Sequence, residues 1–107
     1  MDLTDLTYGE RLLLSRLRQG KTQVEMAQIF NVSVDKYRSW ETDTAGAAPR
    51  ATLRRVRPHE ACRLRRLRAG KTQREVAQAM GISRLWVHKM ERGEAPVRRL
   101  ASFWGLP

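Results

Sequence analysis

The sequence predicts an all-α chain made of two tandem units of one design, each of four to five short helices. Three observations carry that expectation. A block of residues recurs at a fixed offset, the helix-start signals recur with it, and no alternating apolar pattern competes as a strand.

The recurrence is direct. Arg16-Leu17-Arg18-Gln19-Gly20-Lys21-Thr22-Gln23 returns as Arg66-Leu67-Arg68-Ala69-Gly70-Lys71-Thr72-Gln73, an offset of 50. At that offset Glu25 meets Glu75, Ala27-Gln28 meets Ala77-Gln78, Ser33 meets Ser83, and Glu41 meets Glu91. Beyond them the offset falls to 47, so that Pro49, Leu53 and Val56 meet Pro96, Leu100 and Phe103. The second copy has lost three loop residues. Chance does not hold a register this long, and a stacked array normally needs at least three units. The expected domains are 1–57 and 58–107.

Each element follows from local chemistry. Thr7 with Glu10 three residues later is a capping box, and Leu13, Leu14 and Leu17 give an apolar stripe that Gly20 ends. In the second unit Pro58 suits a first helical position, and Cys62, Leu64 and Leu67 form the stripe that Gly70 ends. Cys62 aligns with Leu12 and reads as packing. Capping boxes Thr22–Glu25 and Thr72–Glu75 open a short second helix in each unit. A three-residue turn follows, Asn31-Val32-Ser33 or Gly81-Ile82-Ser83. Asn and Gly accept the left-handed backbone of a tight turn, and each Ser can cap a third helix. That helix should run to about Thr42 and Arg92. Gly93 is a good stop, and Asp43 a poorer one. A fourth helix is expected near 50–56 and 97–103.

Composition narrows the function. The 107 residues carry a formal net charge of +10, with 41% hydrophobic residues. The charge is uneven: residues 1–48 hold 6 Lys/Arg against 7 Asp/Glu, and residues 49–107 hold 15 against 4. A pI near 11.2 points to a polyanionic partner, nucleic acid before membrane. The start, Met1 to Asp5, is acidic and lacks the apolar stretch of a signal peptide. One cysteine cannot staple a fold, which suits a cytoplasmic, nucleoid-associated protein. His59, His88 and Cys62 lack metal-ligand spacing, and there is no Gly-rich phosphate loop or nucleophile constellation. No enzyme, metal, cofactor, small-molecule substrate or membrane span is expected.

Helix, short helix, three-residue turn and helix is the helix-turn-helix plan. The Thr-Gln-x-Glu-x-Ala start of the second helix, the Ser after the turn, and Trp40-Glu41 or Met90-Glu91-Arg92-Gly93 resemble the Cro/lambda-repressor-like (XRE) family. The resemblance covers nearly the whole chain twice, and the second copy fits better. The first departs at Asn31, where Gly is usual, and in its longer loop, 43–48. The resemblance implies a DNA-binding transcriptional regulator, commonly of phage or prophage type, some members being antitoxins that repress their own operon.

At 100° per residue, Ser83, Val87 and Met90 face the domain, while Leu85, His88, Lys89 and Arg92 face outward with Arg84 and Trp86 on the flanks. In the first unit Ser33, Tyr37 and Trp40 face inward. Asp35, Arg38, Ser39 and Thr42 face outward, flanked by Val34 and Lys36. The resemblance places base readers at Arg84, Leu85 and Lys89, and at Val34, Asp35 and Ser39; His88 and Arg38 join them on the outward faces. Arg84 and Lys89 can donate to guanine, Leu85 can lie on a thymine methyl, and Asp35 can accept from cytosine. The start of the second helix is a phosphate site by its free N–H groups and dipole. Lys21, Thr22, Gln23 and Lys36, with Lys71, Thr72, Gln73, Arg74 and Arg92, form the expected phosphate set. Arg16 with Glu41, and Arg66 with Glu91, are expected to bridge helix one to helix three as structural pairs.

The leading expectation is therefore a sequence-specific regulator of double-stranded DNA, a repressor of phage, prophage or bacterial origin that controls its own operon. Related domains dimerise to span half-sites about 34 Å apart. Here one chain mimics a dimer, or a homodimer carries four units. The alternative is a protein-interaction module, antitoxin-like or RNA polymerase-binding, in which the nearly neutral first unit mediates dimerisation or partner binding.

Overall fold

The computed structural model describes residues 5–44, 49, 53 and 55–106. It divides into two compact units, one running to Arg55 and the other starting at Val56. Among the described residues all regular structure is helical. Unit one holds α1 (Tyr8–Arg18), α2 (Gln23–Phe30) and α3 (Val34–Glu41). Unit two holds α4 (Pro58–Arg68), α5 (Gln73–Met80), α6 (Arg84–Glu91) and α7 (Arg98–Phe103). The first three helices of unit two sit 50 residues after those of unit one at both ends. Of the fourth helix expected near 50–56, residues 50–52 and 54 lie outside the described residues, and Leu53, Arg55 and Val56, which are described, are not helical. Met1 to Thr4 and 45–48 of the long loop also lie outside the described residues.

The helix starts form as the capping logic requires. In α1, α2 and α5 the Thr hydroxyl accepts from the Glu backbone N–H at 3.1 Å, and the Glu carboxylate accepts from the Thr N–H at 3.0 Å. The reciprocal bonds satisfy donors that a helix start leaves bare. Ser33 and Ser83 each accept a backbone N–H at 3.1 Å, from Lys36 and Trp86, and so start α3 and α6. Between helices two and three the backbone turns left-handed, at Asn31 (φ 55°) and at Gly81 (φ 69°). Asn31 takes the conformation that Gly81 adopts without steric cost, so the turn survives the exchange.

Each unit closes over its own core. Leu12, Met26, Ala27 and Tyr37 are buried in unit one, with Phe30, Val32, Val34 and Trp40 packed around them. Cys62, Val76, Ala77, Val87, Met90, Leu100 and Ala101 are buried in unit two. The cores differ in kind. Phe30, Tyr37 and Trp40 pack as an aromatic trio, where unit two has Met80, Val87 and Met90. In unit two α7 lays Leu100 and Ala101 on the core, and Trp104 and Leu106 follow against it. Burial pushes the Cys62 thiol up to about 11, with the Glu91 carboxylate adding to the effect; the group is packing and keeps its proton.

Candidate nucleic-acid interface

The third helix of each unit is moored from beneath by an ion pair. Arg66 Nε and Nη2 reach the two Glu91 carboxylate oxygens at 2.7 and 3.1 Å, and Arg66 Nη1 donates to the Lys71 carbonyl at 3.0 Å. Arg16 and Glu41 repeat the geometry at 2.6 and 3.2 Å, with the Lys21 carbonyl at 3.1 Å. The fork ties helix one, the loop before helix two, and the end of helix three. Two parallel N–H···O bonds set its direction as well as its energy. Burial works against ionisation of Glu41, but hydrogen bonds from Arg16 and Gln23 and the guanidinium charge outweigh it. Its pKa falls below the usual 4.5. Burial and the neighbouring Glu41 carboxylate push the Tyr37 phenol well above its ordinary range.

A glutamine joins this pair to the outer face. Gln73 Nε2 donates to Glu91 Oε1 at 3.0 Å, and Gln23 Nε2 donates to Glu41 Oε1 at the same distance. By its place at a helix start each Gln is expected to donate to a phosphate. In the structure one amide N–H is committed to the glutamate, leaving one for an outside acceptor. The amide oxygen faces a guanidinium, Arg84 Nη1 at 3.5 Å in unit two and Arg38 Nε at 3.3 Å in unit one. The relay Arg–Glu–Gln–Arg is a feature that the sequence reading missed. Only its first link was legible, from the paired charges at equal offset.

On α6, Val87 and Met90 are fully inside while Leu85 (58% exposed) and Trp86 (42%) face out. Arg84 is exposed, and His88 and Lys89 are half-buried beside it. Arg74 is exposed at the first turn of α5, near the capping hydroxyl of Thr72. Lys71 stands 3.9 Å from Glu75, and Arg92 pairs with Glu94 at 3.3 Å, so both share their charge with a surface carboxylate. On α3, Asp35, Lys36 and Arg38 are exposed and Val34 is half-buried against the core. Arg38 Nη1 lies 3.5 Å from Asp35, and Lys36 Nζ sits 6.0 Å from the Trp40 ring. The Ser39 hydroxyl donates to the Lys36 carbonyl at 2.6 Å, which engages its proton and leaves its oxygen able to accept. Lys21 is half-buried, and Thr22 caps α2 with its oxygen.

Asp43, expected only as a poor stop for the third helix, has a second role with Gly9 that no sequence signal marks. Asp43 takes a left-handed backbone (φ 57°), and its carboxylate accepts from Gly9 N–H at 2.9 Å and Thr7 Oγ1 at 2.6 Å. It therefore caps α1 from the far end of α3. Their counterparts are His59 and Gly93, and the His59 ring lies over Gly93. No local signal announces such a cap, because its partners are 34 and 36 residues away.

No helix among the described residues is long and apolar enough to cross a membrane. Residues 61–106 match the family model of a helix-turn-helix domain, which spans most of α4 and all of α5, α6 and α7. No curated protein and no solved structure matches the chain.

Proposed function

We propose that the chain is a sequence-specific binder of double-stranded DNA and a transcriptional regulator, with unit two as its principal contact. The observation that carries this reading is the outer face of α6. Within the segment matching a helix-turn-helix domain, Arg84, Leu85, His88 and Lys89 lie on a helix whose inner face is locked by Val87 and Met90. A helix so presented can enter a major groove with its first turns against base edges. Arg84 and Lys89 then meet guanine and Leu85 a thymine methyl, while Lys71, Thr72, Gln73, Arg74 and Arg92 meet phosphates. The charge split supports the same division, since residues 56–107 hold 12 Lys/Arg against 4 Asp/Glu, while residues 1–55 hold 9 against 7.

Unit one is, in this reading, a second helix-turn-helix copy giving a weaker half-site through Gln23, Lys36 and Arg38. The chain acts as a repressor of its own operon, of phage, prophage or bacterial type. The test is a titration of labelled duplex at several salt concentrations, with the flank of its own gene set against random sequence. Affinity should fall by about 0.9 log units per log unit of salt for each phosphate contact, with the flank preferred. Binding that ignores salt refutes the DNA reading. Equal affinity for all sequences refutes the specificity.

A second reading has one observation in its favour. Unit one exposes Tyr8, Val24 and Ile29, at 53, 51 and 60%, on a nearly neutral surface. Exposed apolar side chains of this kind suit a protein partner or a second copy of the chain. Sedimentation of the chain without DNA separates the two: a self-association lost on Ile29→Glu supports it.

A further inference from the structure

We infer that Arg38 occupies in unit one the guanidinium site that Arg84 occupies in unit two, which makes Arg38 rather than the aligned Val34 the residue that sets guanine preference there. The inference rests on the DNA-binding reading for its functional half and on geometry alone for its positional half.

By register, Arg84 corresponds to Val34, and Arg38 to His88. Unit one has thus lost an arginine at the first position of its third helix and gained one at the fifth. Both guanidinium groups nevertheless meet the same atom, Oε1 of the glutamine that opens the second helix. First and fifth positions lie on one helix face, roughly 6 Å apart along the axis. A long side chain from either can reach a common point between them. The acceptor is held alike in both units, because each glutamine is tied to its glutamate at 3.0 Å and each glutamate to its arginine, buried in unit two and partly buried in unit one. The anchoring residue has moved by one turn while the cation has stayed on its acceptor.

The two forks are held differently. Arg84 touches its glutamine through Nη1 alone, leaving Nε and Nη2 for a base edge. Arg38 is held through Nε by Gln23 and through Nη1 by Asp35, so Nη2 is its outward edge. Val34 is partly buried against the unit-one core, and an aliphatic side chain there cannot donate to a base. Arg38 is therefore the specificity residue of unit one, with Gln23 and Asp35 positioning it.

Exchange of the two arrangements tests this in the full chain. Arg38→His installs the residue of unit two and should weaken binding to the preferred duplex about tenfold, the order of one lost guanidinium–base contact. Adding Val34→Arg to Arg38→His should restore affinity to within about twofold. Arg38→Lys, which keeps the charge without the fork, should keep the salt slope and lose the sequence preference. A double variant as weak as Arg38→His, or an Arg38→His variant that binds as wild type, overturns the inference. Arginine side-chain NMR of the free chain reads the positional half without DNA. The Arg38 Nε–H should exchange more slowly than in a Gln23→Ala variant, and equal rates overturn the inference. A wild-type chain that binds no duplex at low salt overturns the DNA reading, and with it the functional half, while the exchange rates still decide the position.

Discussion

Glu91 lies at the centre of the unit-two relay, its side chain fully buried and Arg66 beside it only 10% exposed. Truncating one member of such a pair strands the other charge in a poorly solvated place. Glu91→Ala should therefore lower stability by about 3 kcal/mol in a urea titration. A loss below about 0.5 kcal/mol would mean the pair behaves like a solvated surface bridge. The same relay makes unit one acid-sensitive. The folded pKa of Glu41 lies below its ordinary value of 4.5, so its contribution is complete above that value. It declines as pH drops below 4.5 and is gone once pH has passed through the lowered folded pKa. Glu25 and Glu75 are also lowered, by the Thr22 and Thr72 backbone and side-chain bonds, and act in the same direction. Melting temperatures followed by circular dichroism should hold level down to about pH 5 and then fall. Glu41→Gln should soften that fall, and stability rising from pH 5 to pH 3 would contradict the account.

Packing of helix one on helix three shows how two units of one design reach the same contact with different residues. In unit one the start of α1 presses so closely on the end of α3 that a Cβ on Gly9 would lie 2.5 Å from the Trp40 carbonyl and 2.6 Å from that of Glu41. Only hydrogen fits, and Asp43 fills the remaining space with a carboxylate that caps α1. The two hydrogen bonds offset the cost of its left-handed backbone. In unit two the bulk sits on the other partner, His59 over Gly93, and Gly93 takes φ 76° without strain. Gly9→Ala should accordingly destabilise unit one by about 2 kcal/mol, since the obstructing atoms are backbone and must shift. Thermal melts check it. A neutral result would show that α1 slides freely on α3.

Charge is the property that belongs to the molecule as a whole. With 15 Lys/Arg in residues 49–107 against 6 in residues 1–48, phosphate attraction is concentrated in one half. Each phosphate contact releases condensed counterions, so its removal changes the salt slope as well as the affinity. Arg74 is exposed at the first turn of α5, not on α6. Arg74→Ala should lower the slope by about one unit and weaken every duplex alike. Arg84→Ala should instead cost about 1–3 kcal/mol on the preferred duplex and flatten the preference among sequences. If Arg38→Ala harms binding more than Arg84→Ala and Lys89→Ala together, unit one is the principal reader despite its charge.

The sequence by itself determined the first three helices of each unit and the starts that carry Thr or Ser caps. Thr7, Thr22, Thr72, Ser33 and Ser83 act within three residues of their partners, and Asn31 and Gly81 satisfy a backbone requirement of their own. Short-range chemistry of that kind is written in the order of residues. The Arg–Glu pairs were legible as well, because the repeat shows the same two charges twice at one separation. Tertiary structure alone decided what met at a distance: Asp43 on Gly9, the glutamine amide on glutamate, and an arginine from a different helix position in each unit on the equivalent glutamine oxygen. It also set the Ser39 hydroxyl proton on the Lys36 carbonyl. Side-chain length and rotamer set those contacts, and a helical wheel carries direction but not reach.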